Sequence, residues 1–370
     1  MNATVSTSFG ISAIATHEPA WLLGNDWFGA TIARKFVQHT GTELRPVSLE
    51  DEVTMAVRAT NNLQRETGCD LQNCSAVVFV SPSFVPVSVA RKHLGDQRAS
   101  EESVQRAAER FAQRLGLSRG PVIGINWFCA GYAKAMSILL RHTLPSLHLE
   151  PDQFALVITA GRISRITDYE CKHTGPLFGD MATATLIART DSRRFPTHFE
   201  LLTASAEKQP ASGVFFQFHV RDNVLSPTQD GGQMRIPRRL VFSLDGMGIA
   251  DAAPRAMSDA LAKSLSAVHL RAEDVARVVP HQAGAAIVRL TAMKLEDIGI
   301  RAETANGLTS RVGNLSSSSI PFALKQLWHG LHGTIACPTA AVGNPGEAKI
   351  AQGCVLLQST VYHDKRTLAA

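Results

Sequence analysis

The sequence predicts a layered α/β protein, and three observations carry that prediction. Short apolar runs rich in Val, Ile or Phe recur along the chain, most of them bounded by turn or polar residues. Amphipathic stretches of helical length separate them. The composition, 45% hydrophobic and 19% charged over 370 residues, is that of a globular chain long enough for a large core. Strands alternating with helices argue for buried, largely parallel sheets.

Taken in order, the expected strands are SAVVFVS (75–81), PVIGINWF (121–128), FALVITA (154–160), VARVVP (275–280) and CVLLQST (354–360). The expected helices cover 51–66, 102–116, 130–143, 253–268, 284–297 and 320–330. Residues 201–235 include KQPASG and SPTQDGG and read as a loop-rich connection. That reading leaves an N-terminal half, 1–200, and a C-terminal half, 236–370. Both halves hold strand–turn–helix units with polar residues at the junctions, as a long-period duplication would produce.

The net charge of +5 permits an acidic partner, but no basic motif of a nucleic-acid reader is present. The six cysteines form no C-x-x-C pair and have no zinc-site spacing, so no metal is expected. No secretory signal is visible. The most apolar window, 121–140, is interrupted by Asn126 and Lys134 and makes a poor membrane span. These features predict a soluble cytoplasmic protein with free thiols and no membrane partner.

Three junctions concentrate the chemistry. Cys129 follows a strand and opens a helix in INWFCAGYAKAM; His281 lies in VVPHQAGAAIVRL; Asn314 lies in RVGNLSSSSIPFAL. A thiol at a helix N-terminus feels the partial positive charge of unpaired N–H groups, which favours the thiolate. Histidine exchanges a proton near neutrality, and asparagine donates a hydrogen bond without charge. Polar groups at strand ends are placed to converge on one cleft. Each also has an ordinary reading: a small buried hydrophobe for Cys129, a capped histidine for His281, a turn residue for Asn314. Cys171 and Cys354 lack such context and read as structural.

The three motifs together, CAGY (129–132), PHQA (280–283) and GNLSSSSIP (313–321), resemble in order and rough spacing the active-site motifs of the β-ketoacyl-ACP synthase III family. Intervening segments at 155–168 and 176–188 resemble the family too. The resemblance implies a thiolase-like fold: two pseudo-duplicated α/β halves in α-β-α-β-α layers, as a homodimer. It implies that Cys129 takes an acyl group from acyl-CoA or acyl carrier protein, with no tightly bound cofactor. His281 and Asn314 then stabilise the enolate of a decarboxylating malonyl-type thioester. The Cys129 N–H and the loop near Gly343 are the implied oxyanion donors, and Ser316 joins the substrate-binding set.

Segments 81–103 and 341–353 differ in length from the family pattern, which suggests a specialised fatty-acid, polyketide or secondary-metabolite enzyme. Trp27 is a candidate contact to CoA. Arg193, Arg194, Arg235, Arg238 and Arg239 are candidate contacts to an acidic carrier protein, with solvated surface charge as their ordinary reading. Two other functions stay open: acyl transfer to an alcohol, amine or thiol without condensation, and an inactive partner subunit of a heterodimeric synthase.

Overall fold

The computed structural model describes residues 8–32, 34–85, 89, 91–92 and 103–360. The first strands are β1 (Phe9–His17), β2 (Leu22–Gly24), β3 (Leu44–Pro46), β4 (Cys74–Val80), β5 (Val122–Ile125), β6 (Phe154–Gly161) and β7 (Met181–Arg189). They are followed by β8 (Phe199–Pro210), β9 (Phe216–Pro227), β10 (Gln233–Leu244), β11 (Val275–Val278), β12 (Glu303–Thr304), β13 (Thr334–Val342) and β14 (Lys349–Ser359). The helices are α1 (Arg34–Thr40), α2 (Glu52–Thr67), α3 (Val104–Arg114), α4 (Gly131–Ile138), α5 (Leu144–Leu147), α6 (Gly246–Ala267), α7 (Ala285–Asp297) and α8 (Ser319–Leu327).

Ten strands join in the order β12-β11-β13-β14-β8-β1-β7-β6-β4-β5. Read outward from β1, the neighbours β7, β6, β4 and β5 pair antiparallel, antiparallel, parallel, parallel. Read outward from β8, the neighbours β14, β13, β11 and β12 repeat the same series. The two five-strand units meet only where Gly10 faces Glu200 and Ile11 faces Phe199. The expected duplication is therefore visible as topology. The sheet is mixed rather than largely parallel. A connection as short as that between β13 and β14 permits only a hairpin, and a parallel return needs a long crossover.

Both faces of each unit are apolar, so strand residues alternate between two cores. In β4, Ala76, Val78 and Val80 face a central layer, while Val77 and Phe79 face α2 and α3. In β14, Val355 and Leu357 face the same central layer, while Cys354 and Leu356 face α6 and α7. The central layer consists of α4 and α8, contributing Tyr132, Ala133, Met136, Ile320, Ala323 and Leu324. The result is an α-β-α-β-α stack in which α4 and α8 are covered by sheets on both sides.

Helix α2 begins where Asp51 accepts from the Thr54 N–H and ends at Gly68 with φ 64°, within two residues of its expected bounds. Helix α6 starts seven residues earlier than expected. Asp245 caps it by accepting from Met247 and Gly248, and Pro254 lies inside the helix rather than at its start. The expected loop-rich connection, 201–235, is instead mostly strand. Gly, Pro and Asp mark its turns at 211–215 and 228–232, and β8 and β9 fill the rest. Strands β9 and β10 form a separate two-stranded ribbon.

Candidate active site

Cys129 sits in a one-turn helix, Phe128–Ala130, between β5 and α4. The turn is sharp: Phe128 has φ 45°, an unusual conformation for a residue with a side chain. Asn126 holds it. Its Oδ1 accepts from the Phe128 N–H at 3.0 Å, and its Nδ2 donates to the Phe84 carbonyl at 2.6 Å. The Cys129 carbonyl accepts from Thr339 Oγ1 at 3.0 Å. Gly131 lets the turn dock, since a Cβ there would lie 2.4 Å from Val80 Cγ1.

His281 follows β11 in an irregular segment. Its N–H donates to Pro338 at 2.9 Å, and α7 starts four residues later at Ala285. The next residue, Gln282, fixes that segment: its Nε2 donates to the carbonyls of Pro280 and Ala305, and its N–H donates to Ser319 Oγ. Neither ring nitrogen of His281 has a hydrogen-bond partner among the described residues, although the side chain is buried. Asn314 follows Gly313, whose φ of 62° and near contact with the Leu177 carbonyl exclude a side chain. Its N–H donates to Leu177, and its carbonyl accepts from Gly179. Its Oδ1 accepts from the Ser316 N–H at 2.8 Å, which leaves Nδ2 as the donor end of the amide.

Cys129, His281, Asn314 and Ser316 line one cavity of about 790 Å³, open space included. They are its polar side chains; the other lining residues described are apolar, including Phe128, Phe178, Phe216, Phe218 and Phe242. Burial in this uncharged setting pushes the Cys129 thiol up to about 11 and the His281 imidazole down to about 3. Ser316 Oγ donates to the Cys129 sulfur at 3.5 Å and pulls the other way, more weakly. The free site therefore holds a neutral thiol and a neutral imidazole. Burial, the largest influence on the thiol, opposes the thiolate that a helix N-terminus favours.

Gly343 does not fit the oxyanion role expected of it. It is absent from the cavity lining, and its N–H is committed to the Lys349 carbonyl at 2.9 Å. Alternate residues of β13 face the other way. The carbonyls of Ala336 and Pro338 accept from Val279 and His281, so backbone groups of Ala340 and Val342 point to that same edge. Trp27 is also engaged elsewhere. Its Nε1 donates to the Gly232 carbonyl at 3.0 Å, and its ring packs edge-on against Phe28 and Tyr169.

Four of the five arginines singled out in the sequence have partners within the chain. Arg235 pairs with Glu170, Arg238 lies 4.0 Å from Asp222, Arg239 donates to the Ser164 carbonyl and Arg194 stacks on Phe195. Sequence reasoning missed Asn126 and Gln282, each of which immobilises a site residue. A polar residue three positions before Cys129, or one after His281, was their only signal.

Two family profiles match the chain: 3-oxoacyl-[acyl-carrier-protein (ACP)] synthase III over residues 124–203, and its C-terminal part over residues 265–333. The β-ketoacyl-[acyl-carrier-protein] synthase III of Chlorobium phaeobacteroides is 27% identical over 214 residues, 58% of this chain and 61% of that protein's length. The enzyme of the same name from Bradyrhizobium diazoefficiens is 27% identical over 302 residues, 78% of this chain and 79% of its own. In fold, the chain superposes on 3-oxoacyl-(acyl carrier protein) synthase III of Pseudomonas aeruginosa with a TM-score of 0.69 at 20% identity, covering 96% of this chain and 99% of that one. The priming β-ketosynthase of the R1128 polyketide pathway gives 0.67 at 18% identity, covering 98% and 100%. Motif order, profile matches and the duplicated five-layer architecture agree: the chain is similar to β-ketoacyl-ACP synthase III in sequence and shares the fold of the solved enzymes of that name.

Proposed function

We propose that the chain forms an acyl-enzyme on Cys129 and condenses it decarboxylatively with a malonyl-type thioester. The observation that carries this is the pairing of a neutral, unpartnered His281 with the donor end of Asn314 in the cavity that Cys129 lines. In the first stage the Cys129 sulfur attacks a thioester carbonyl. The S–C bond forms, the donor thiol leaves, and it carries away the proton that the Cys129 thiol gives up. The developing oxyanion sits at the Cys129 N–H, which belongs to a first helical turn, and at the Val342 N–H rather than that of Gly343.

In the second stage the malonyl thioester carbonyl accepts from His281 and Asn314. Carbon dioxide departs, and the enolate carbon attacks the acyl carbonyl. The new C–C bond forms as the C–S bond breaks, and the departing Cys129 thiolate takes up one proton from solvent to regenerate the thiol. Simple acyl transfer would need His281 as a base, and an imidazole whose pKa is pushed down to about 3 is a poor one near neutrality. It is a good uncharged donor.

The halves 1–200 and 236–370 then divide the labour, with Cys129 in the first and His281 and Asn314 in the second. The acyl donor is a CoA or carrier-protein phosphopantetheine thioester. The free cysteines suit the cytoplasm, and among the described residues no helix is long and apolar enough to cross a membrane. A homodimer is supported by the edge strand β5, whose four residues are only half-buried. The neighbouring polyketide ketosynthase supports a specialised pathway.

The test is to acylate His281→Ala and Asn314→Ala, add malonyl thioester, and follow carbon dioxide and product mass. Self-acylation should persist while condensation falls by two or more orders of magnitude, as when an oxyanion-type donor is lost. An Asn314→Ala enzyme that forms product normally without releasing carbon dioxide sinks the condensing reading and favours simple acyl transfer.

A further inference from the structure

The reading above leaves the acyl group unnamed, and the cavity walls constrain it. Phe216 and Phe218 of β9 and Phe242 and Leu244 of β10 alternate along their strands and project from the same face of the ribbon into the cavity. With Phe128 and Phe178, the phenylalanines make two edge-to-face groups, one of which starts beside the nucleophile. Phe128, which precedes Cys129, lies 5.0 Å from Phe216; Phe216 lies 5.9 Å from Phe218; Phe178 lies 5.5 Å from Phe242. Helices α6 and α7 contribute Ile249, Ala253, Met257 and Ile287 to the same lining.

Among the described residues, no charged side chain lines the cavity, and its polar side chains are those of Cys129, His281, Asn314 and Ser316. A hydroxyl, amide or carboxylate on the acyl chain, beyond the carbonyl, would lose water and find no partner there. An acetyl group is too short to cover this apolar lining along its length. The two amides of a pantetheine arm would also go unsatisfied against the phenylalanines, so this wall suits the acyl chain rather than the arm.

We infer that Cys129 accepts an acyl group that is apolar along its whole length and larger than acetyl, an alkyl or aryl chain of four or more carbons laid against the β9–β10 phenylalanines. This rests on the acyl-enzyme reading proposed above. The step itself is the thioester exchange already written. The chain length enters through burial, with about a fourfold gain for each added methylene.

The experiment measures single-turnover acylation of the full-length protein with acetyl-, butyryl-, hexanoyl-, phenylacetyl- and succinyl-CoA, read as intact mass with Cys129→Ala as the blank. Hexanoyl should exceed acetyl by roughly 250-fold in second-order rate. Succinyl should fall at least about a hundredfold below butyryl. Ala253→Phe, which narrows the cavity, should move the optimum toward shorter chains, and the wild-type panel decides the matter if that variant does not fold. Acetyl or succinyl acylating Cys129 as fast as hexanoyl overturns the inference and leaves the acyl-enzyme reading standing. No acylation of Cys129 by any member overturns both.

Discussion

Replacing His281 by Asn should change how stability responds to acid. The imidazole is buried, has no partner for either nitrogen among the described residues, and has its pKa pushed down from 6.5 to about 3. Above pH 6.5 the ring is neutral in both folded and unfolded chains and contributes no pH dependence. Below 6.5 the unfolded chain binds a proton at this residue and the folded chain does not, so stability falls as pH falls. The loss continues until the folded site protonates near pH 3.

Each pH unit in this window costs about 1.4 kcal/mol, so the loss between pH 6.5 and pH 5 is about 2 kcal/mol. Asparagine cannot charge, and the variant should lack that component. Urea unfolding at pH 7 and pH 5, for both proteins, isolates it as a difference of differences; the variant's own baseline stability cancels. The wild type should lose about 2 kcal/mol more than His281→Asn on acidification. Equal losses would mean that His281 titrates normally in the folded protein. The argument that it is a neutral donor and a poor base would then fail.

Other perturbations follow from the same geometry. Gly131→Ala places a methyl 2.4 Å from Val80 Cγ1 and 3.2 Å from Ser317 Cβ, and the overpacking should destabilise by about 1–3 kcal/mol in a denaturant titration. Ser316→Ala removes the hydrogen bond to the Cys129 sulfur, so the pH profile of iodoacetamide alkylation, centred near 11 in the wild type, should move further alkaline. Gln282→Ala releases the segment carrying His281, leaves the Pro280 and Ala305 carbonyls without that donor, and should reduce condensation more than self-acylation. Sedimentation at micromolar concentration should show a dimer. A strand added at β5 must displace the Gln105 side chain, which bonds to the Gly124 N–H and the Val122 carbonyl, so Gln105→Ala should not weaken that dimer.

That Cys129, His281 and Asn314 share one cavity was legible because each sits in a short motif whose chemistry survives without structural detail. The layered class was legible for a similar reason: strands such as β4, apolar on both faces, read as continuous Val, Ile and Phe runs. What stayed hidden depends on partners far along the chain. The commitment of the Gly343 N–H to Lys349 follows from the register of β13 on β14, which no local pattern around residue 343 encodes. The strands within 201–235 were masked by their turn residues, although the alternation of Phe216, Phe218 and Val220 with polar neighbours is the signal of a half-buried strand. The balance at Cys129 was also hidden. A helix N-terminus is visible in sequence, whereas the uncharged enclosure that opposes the thiolate appears only once distant segments of the chain line one cavity.

The most direct test of the account is the fate of a single acyl group. The protein is incubated with hexanoyl-CoA, freed of excess donor and digested for peptide mass analysis, and a parallel sample receives malonyl-thioester before digestion. The account predicts one hexanoyl adduct per chain, confined to Cys129. In the parallel sample the adduct disappears with release of one carbon dioxide and one β-ketoacyl product. An adduct on another residue, or loss of the Cys129 adduct to water or an added alcohol with no carbon dioxide released, would contradict it.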